Sequence, residues 1–227
     1  MNTKLIIVRH AETDGNHADI FHGWTNVDIS EKGKKQAEKL AERLKNQEID
    51  VLYSSSLTRA IQTAEYISNV KGISIIKSDG LKEINGGDWE NVEYKKLPEL
   101  FPKEHHTWRN ALHLHQMPNG ESMIEFQKRL INEISKIVKE NKGKSICIVT
   151  HGNAIKALMC YFHNLMIEDI SSINWTENTS ISIININDKN EYEIEVEGDA
   201  SHLNKDLYTL LNQEWYIKLI KEKQNRN

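Results

Sequence analysis

Short apolar runs alternate along this chain with longer stretches in which apolar residues recur every three or four positions. That alternation predicts a mainly parallel sheet with helices on its faces. Leu5-Ile6-Ile7-Val8 reads as a first strand. Between Ser30 and Asn46, Ala37, Leu40, Ala41 and Leu44 fall on one side and Lys and Glu on the other, which predicts a surface helix with a solvated charged face. Val51 to Ser55 reads as a second strand. Leu57 to Ser68 follows as a second helix, with Ala60, Ile61, Ala64 and Ile67 turned inward and Arg59 in its first turn. A further short strand is expected over Ile73 to Ile76.

From Ser78 to Gly120 the periodicity lapses. All three prolines lie here, and the segment reads as an irregular insertion or lid. Helical spacing returns from Ser122 to Asn141 through Phe126, Leu130, Ile134 and Ile137. A strand from Ile146 to Thr150 and a helix from Asn153 to His163 come next. Ile181 to Ile186 and Tyr192 to Val196 flank Asn187-Asp188-Lys189-Asn190, the pattern of a hairpin. A charged helix carrying Trp215, Tyr216, Ile217, Leu219 and Ile220 closes the chain; it is expected to pack on the core, with a homodimer contact as its alternative use. The fold class expected is therefore α/β, a single three-layer α/β/α domain over 1–227 with its insertion at about 78–120.

Composition narrows the function classes. A formal net charge of −4 and a pI near 6.2 provide no global attraction to nucleic acid or to an anionic membrane. Any anion must then be held by local cations, which favours a small phosphate-bearing ligand. No apolar run reaches the roughly 18 residues of a membrane span, no leader sequence is evident, and the expected compartment is the cytoplasm. Cys147 and Cys160 lie in apolar surroundings, outside any Cys-x-x-Cys or His-Cys pattern, and read as buried reduced thiols. His105, His106, His113 and His115 lack metal-ligand spacing and are expected to be solvated on the lid. Trp24 and Trp89 are expected to pack pocket walls.

The chemistry sits where strands end. Arg9 and His10 follow the first apolar run, and His151 and Gly152 follow Ile146-Cys147-Ile148-Val149-Thr150. Arg59 comes just after the second strand. Ligand sites of open α/β sheets form along the carboxyl edge of the strands, so these three pieces can share one pocket. Alone, Arg9 or Arg59 would be a surface ion pair, and His10 or His151 a core histidine bonded to backbone. Together they suit a phosphoryl group, with guanidiniums on its oxygens and His10 in line for attack on phosphorus, and no metal or other cofactor is required. The first turn of the helix after His151 would add free backbone N–H groups.

At this point the chain resembles the histidine phosphatase superfamily, the phosphoglycerate mutase-like proteins. The resemblance rests on Val-Arg-His-Ala-Glu-Thr-Asp-Gly-Asn at 8–16, Phe-His-Gly-Trp-Thr-Asn-Val-Asp-Ile-Ser-Glu-Lys-Gly at 21–33 and Tyr-Ser-Ser-Ser-Leu-Thr-Arg-Ala-Ile-Gln-Thr-Ala at 53–64. It continues through Leu-Lys-Glu-Ile-Asn-Gly-Gly-Asp-Trp-Glu at 81–90, Pro-Asn-Gly-Glu-Ser at 118–122 and Val-Thr-His-Gly-Asn-Ala-Ile at 149–155. Carried over residue by residue, it implies His10 as the nucleophile that becomes phosphohistidine, with Arg9, Arg59 and His151 as its phosphate pocket. Glu83 matches the family's proton donor, with Asp79, Asp88 and Glu90 as neighbouring carboxylates. Asn16, His22, the Gly23 backbone and Gly152 match positions lining phosphate or substrate.

Mutases similar in these motifs carry a tandem arginine between the acid and the Pro-Asn-Gly-Glu-Ser segment. Here that region holds Trp108-Arg109-Asn110, and its short length resembles the small broad-specificity and α-ribazole phosphatases. The expected activity is metal-independent hydrolysis of a small phosphomonoester. A cofactor-dependent mutase, in which Lys95, Lys96, Lys103 and Arg109 would grip a carboxylate, is the alternative, and a non-catalytic phosphate-binding protein is a third reading.

Overall fold

The chain forms six strands, seven α-helices and seven short 3-10 turns within residues 2–213, 216, 217 and 220, which are those that the computed structural model describes. The strands are β1 (Thr3–Arg9), β2 (Val51–Ser55), β3 (Ile75–Ser78), β4 (Ser145–Thr150), β5 (Ile181–Ile186) and β6 (Tyr192–Asp199). The helices are α1 (Asp14–His17), α2 (Glu31–Leu44), α3 (Thr58–Lys71), α4 (Leu97–Leu100), α5 (Pro102–Asn110), α6 (Met123–Glu140) and α7 (Gly152–Phe162).

The strands join in one sheet of order β3-β2-β4-β1-β5-β6. β1 runs parallel to β4, β4 to β2 and β2 to β3, whereas β5 is antiparallel to both β1 and β6. The sheet is thus mixed but mainly parallel. Apolar residues at both phases of the strand period supply two cores, because successive side chains point to opposite faces. Ile6, Val8, Leu52, Cys147 and Val149 pack against Leu40 and Leu44 of α2 and Ala60, Ala64 and Ile67 of α3. Leu5, Ile7, Tyr53, Ile146 and Ile148 pack against Phe126, Leu130, Ile134 and Ile137 of α6 and against α7. Three layers result, and cutting a fully buried core side chain such as Leu130 back to alanine would cost about 2–5 kcal/mol.

Local chemistry sets the helix ends. Ser30 caps α2 by accepting from the N–H of Gly33, and Ser122 forms a reciprocal capping box with Glu125 at the start of α6. α3 stops at Gly72, whose φ of 66° is left-handed. Three expectations need correction. The third strand lies two residues later than Ile73–Ile76, because Ile73 is drawn into the turn that ends α3 by its N–H bond to Ser68. The segment 78–120 is less irregular than expected: Pro98 and Pro102 occupy the first turns of α4 and α5, where proline's missing N–H costs nothing. His115 is not solvated but fully buried, with Trp89 and Trp108 each 5.0 Å from its ring and its Nε2 3.3 Å from Met117 Sδ.

Trp89 is fully buried among Phe21, Phe101 and Trp108. Cys147 and Cys160 are both buried free thiols. Among the described residues no helix is long and apolar enough to cross a membrane. Of the closing helix, Trp215 and Leu219 lie outside the described residues.

Candidate active site

Parallel pairing brings the two strand-end histidines together. Arg9 of β1 stands opposite Thr150 of β4, so His10 and His151 leave the sheet side by side with their rings 5.1 Å apart. The His10 N–H continues the ladder by donating to the Thr150 carbonyl at 2.9 Å. β2 runs into α3, whose first turn lifts Arg59 over the same edge.

The His10 ring is held at Nδ1, 2.7 Å from the Ala11 carbonyl oxygen. A carbonyl only accepts, so Nδ1 carries the hydrogen and Nε2 carries the lone pair. Arg59 Nε donates toward that lone pair at 3.3 Å. Burial, then the charges of Arg59 and Arg9, push the His10 pKa well below its ordinary 6.5, so the ring is neutral. His151 is lowered in the same way, by burial and then by Arg59 and His10. It lies behind His10 with Nε2 2.7 Å from Ser55 Oγ.

Both arginines are buried and fastened by backbone carbonyls. Arg59 donates to Thr25 O at 2.9 Å, Gly23 O at 2.8 Å and His22 O at 3.3 Å. Burial brings its pKa down to about 10, which still leaves it charged at neutral pH. The loop that supplies those carbonyls is itself tied by Glu90, whose carboxylate accepts from the N–H groups of Gly23, Trp24, Thr25 and Gly86 and from the Thr25 hydroxyl. Arg9 donates through Nη1 to Thr176 O at 2.6 Å, while its buried Nε has no protein partner.

Glu83 enters from the loop after β3. Its carboxylate accepts from the N–H of Ile84 at 2.8 Å and of Asn153 at 3.0 Å, the latter in the first turn of α7. Burial raises its pKa above the ordinary 4.5 despite those donors and the two arginines. The neighbouring carboxylates are occupied elsewhere: Asp79 with Lys82 and Ser56, Asp88 with Asn119, and Glu90 with its five donors.

Arg9, His10, Arg59 and Glu83 line one cavity of about 590 Å³. Asn16, His22 and Gly152 line it too. Asn16 joins a capping box with Thr13 at the start of α1 and accepts through its carbonyl from the Gln213 side chain. Gly23 does not reach the cavity; it works from behind, giving its N–H to Glu90 and its carbonyl to Arg59. Gly152 is needed for close approach, because a Cβ there would stand 3.1 Å from the Trp175 ring and 3.4 Å from Arg9 Nε. Of the lid histidines, His105 lines the cavity. Trp24 is part-exposed, and its indole N–H donates to the Glu83 carbonyl at 2.8 Å.

Sequence reasoning missed Asn153, Tyr94, Lys156 and Trp175, all on the cavity wall. Asn153 was within reach, since it follows His151-Gly152 where a helix begins. Arg9 Nε, His22 Nδ1, His151 Nδ1 and Asn153 Oδ1 are buried around this cavity without protein partners, a concentration of unmet polar groups that marks a binding site. Among the described residues no cluster of His, Cys, Asp and Glu is arranged to hold a metal ion.

A neutral buried histidine between two buried guanidiniums, at the carboxyl edge of a mainly parallel sheet, defines an enzyme of the phosphoglycerate mutase-like phosphatase type. The chain belongs to the histidine phosphatase superfamily (branch 1), whose family model matches residues 5–198. Phosphoserine phosphatase 1 of Hydrogenobacter thermophilus is 32% identical over 82% of this chain and 88% of its own. A 2,3-bisphosphoglycerate-dependent phosphoglycerate mutase of Cytophaga hutchinsonii is 33% identical over 75% and 82%. Among solved structures, Bacillus stearothermophilus YhfR matches with a TM-score of 0.85 and 32% identity, covering 89% of this chain and all of that one.

Proposed function

We propose that this protein hydrolyses small phosphomonoesters through a phosphohistidine on His10. The observation that carries the reading is the pairing, in one cavity, of a neutral His10 whose Nε2 carries the lone pair, facing Arg59, and a Glu83 carboxyl whose pKa is raised. The His10 Nε2 lone pair attacks phosphorus while the bond to the ester oxygen breaks, and Glu83 gives its proton to the departing alkoxide. Arg9 and Arg59 neutralise the charge of the transferring phosphoryl group, while the neutral His151 backs the His10 ring from outside the cavity wall. Glu83, now a carboxylate, takes a proton from water; the oxygen attacks phosphorus, the P–N bond breaks, and phosphate leaves with His10 neutral again.

Hydrolysis is favoured over mutase chemistry by where the insertion's cations fall. Of Lys95, Lys96, Lys103 and Arg109, Arg109 lines the cavity, whereas exposed Lys95 and Lys96 pair with Glu93. Asp19, Arg109 and Lys156 give the cavity lining both signs of charge, which suits a zwitterionic ester. Phosphoserine, named for the Hydrogenobacter relative, is therefore the first substrate to try.

The test is to incubate the protein, with EDTA present, with phosphoserine and p-nitrophenyl phosphate, and separately with 3-phosphoglycerate plus trace 2,3-bisphosphoglycerate. Phosphate release without isomerisation is the expected result. Bisphosphate-dependent formation of 2-phosphoglycerate would establish the mutase instead, and phosphate affinity with no turnover on any ester a binding protein.

A further inference from the structure

We propose that Arg129, locked to Glu121, is a positioning residue for Glu83, resting on the reading of Glu83 as the general acid. Glu83 belongs to no helix or strand, so its own segment cannot hold the carboxyl at a leaving oxygen. Arg129, on α6, supplies what the loop lacks. Its Nε and Nη2 each lie 2.7 Å from a different oxygen of Glu121, a two-bond fork that lysine cannot form. The remaining hydrogens go to the loop: Nη1 donates to Gly80 O and Lys82 O, and Nη2 to Glu83 O, all at 3.1 Å. Glu121 grips the other side by accepting from the Asn85 N–H at 2.8 Å.

One ion pair thus holds the backbone before, at and after Glu83. The Glu83 carbonyl, shared by Arg129 and Trp24, becomes a fixed pivot from which the side chain reaches the cavity. Arg129 and Glu121 do not line that cavity, and neither bonds to His10, Arg9 or Arg59. Loosening the pair therefore misplaces the acid while leaving nucleophile and phosphate pocket assembled. Misplacement of a catalytic group by about 1 Å costs on the order of 10²-fold.

Leaving groups separate this role from a merely structural one. A nitrophenolate departs without a proton, whereas a serine alkoxide needs one, and kcat/KM reports the transfer of phosphorus to His10 in both cases. Arg129→Met is expected to lower kcat/KM for phosphoserine by about 10- to 100-fold and to leave that for p-nitrophenyl phosphate within about 3-fold. Vanadate inhibition should stay at the wild-type level. Arg129→Lys, which keeps the charge and loses the fork, is read by the same ratio of the two esters should the methionine variant not fold.

Glu83→Gln calibrates the measurement. If it depresses the alkyl ester selectively and the Arg129 variants depress both esters equally, or neither, the positioning role is overturned. If Glu83→Gln itself shows no selectivity, the acid assignment fails, and the inference with it.

Discussion

Arg59 Nε and His10 Nε2 face each other across 3.3 Å, so the cation proposed to hold a phosphoryl oxygen already donates to the lone pair proposed to attack phosphorus. A phosphate entering between them is expected to take over that hydrogen bond and free the lone pair. The other three Arg59 bonds go to carbonyls of the 22–25 loop, which fixes the guanidinium plane. Lysine can reproduce the charge but not the fork. We expect Arg59→Lys to lower kcat/KM by about 10²- to 10³-fold, the usual worth of a lost transition-state donor, in steady-state assays on p-nitrophenyl phosphate.

The proposed covalent step is open to direct capture. Rapid mixing with labelled substrate followed by alkaline denaturation should leave base-stable, acid-labile phosphate on the wild-type chain. His10→Ala should carry none and turn over no ester. Label retained by His10→Ala would move the nucleophile to another residue.

pH dependence follows from the opposite displacements of the two key groups. The reactive form has His10 neutral and Glu83 protonated. Since His10 is lowered from 6.5 and Glu83 raised from 4.5, kcat/KM for an alkyl ester should fall on the acid side below 6.5 and on the alkaline side above 4.5. Glu83→Gln should lose the alkaline limb, with kcat reduced by about 10²- to 10⁴-fold. A limb that persists in that variant would belong to another group.

Stability should respond to acid through the same histidines. Unfolded, His10 and His151 bind protons near 6.5, while the native state refuses them until well below that value. Stability is then fully present above 6.5 and lost as pH falls, by up to about 1.4 kcal/mol per pH unit for each ring. Glu83, raised when folded, acts with the opposite sign above 4.5. His10→Asn should flatten the decline of Tm between pH 6.5 and the acid range, and an unchanged slope would refute a neutral buried His10.

Glu90 offers a structural test. Replacing its carboxylate by an amide in Glu90→Gln leaves one acceptor oxygen for donors that come from four backbone N–H groups and a hydroxyl. A loss of about 1–3 kcal/mol in chemical denaturation is expected, with weaker inhibition by inorganic phosphate as Arg59 loses its bracket.

The sheet and its two cores were legible because Leu5 to Val8 and Ile146 to Val149 are apolar at both strand phases, a pattern that only a twice-covered strand sustains. His10, Arg59 and His151 were legible for a related reason, since the histidines directly follow strands, Arg59 stands in the first turn after one, and strand ends are brought together by pairing. The insertion was harder. Proline in the first turn of α4 and α5 looks like a breaker when read alone, and His115 looks polar until Trp89 and Trp108 enclose it. Arg129 was silent altogether: its loop partners at 80–83 lie on the far side of the insertion, and no periodicity couples a helix face to loop carbonyls.

β1 leads directly into His10 and lies between β4 and β5, whose pairing residues begin at Ser145 and Ile181. During synthesis, the strand made first must therefore wait for most of the chain before either neighbour exists. Gln213, whose side chain donates to the Asn16 carbonyl at the rim, emerges later still. A ribosome that stalls or a message cut short releases a polypeptide with His10 but without His151, Gly152 or the wall behind them. Such fragments are expected to be inert toward phosphate esters.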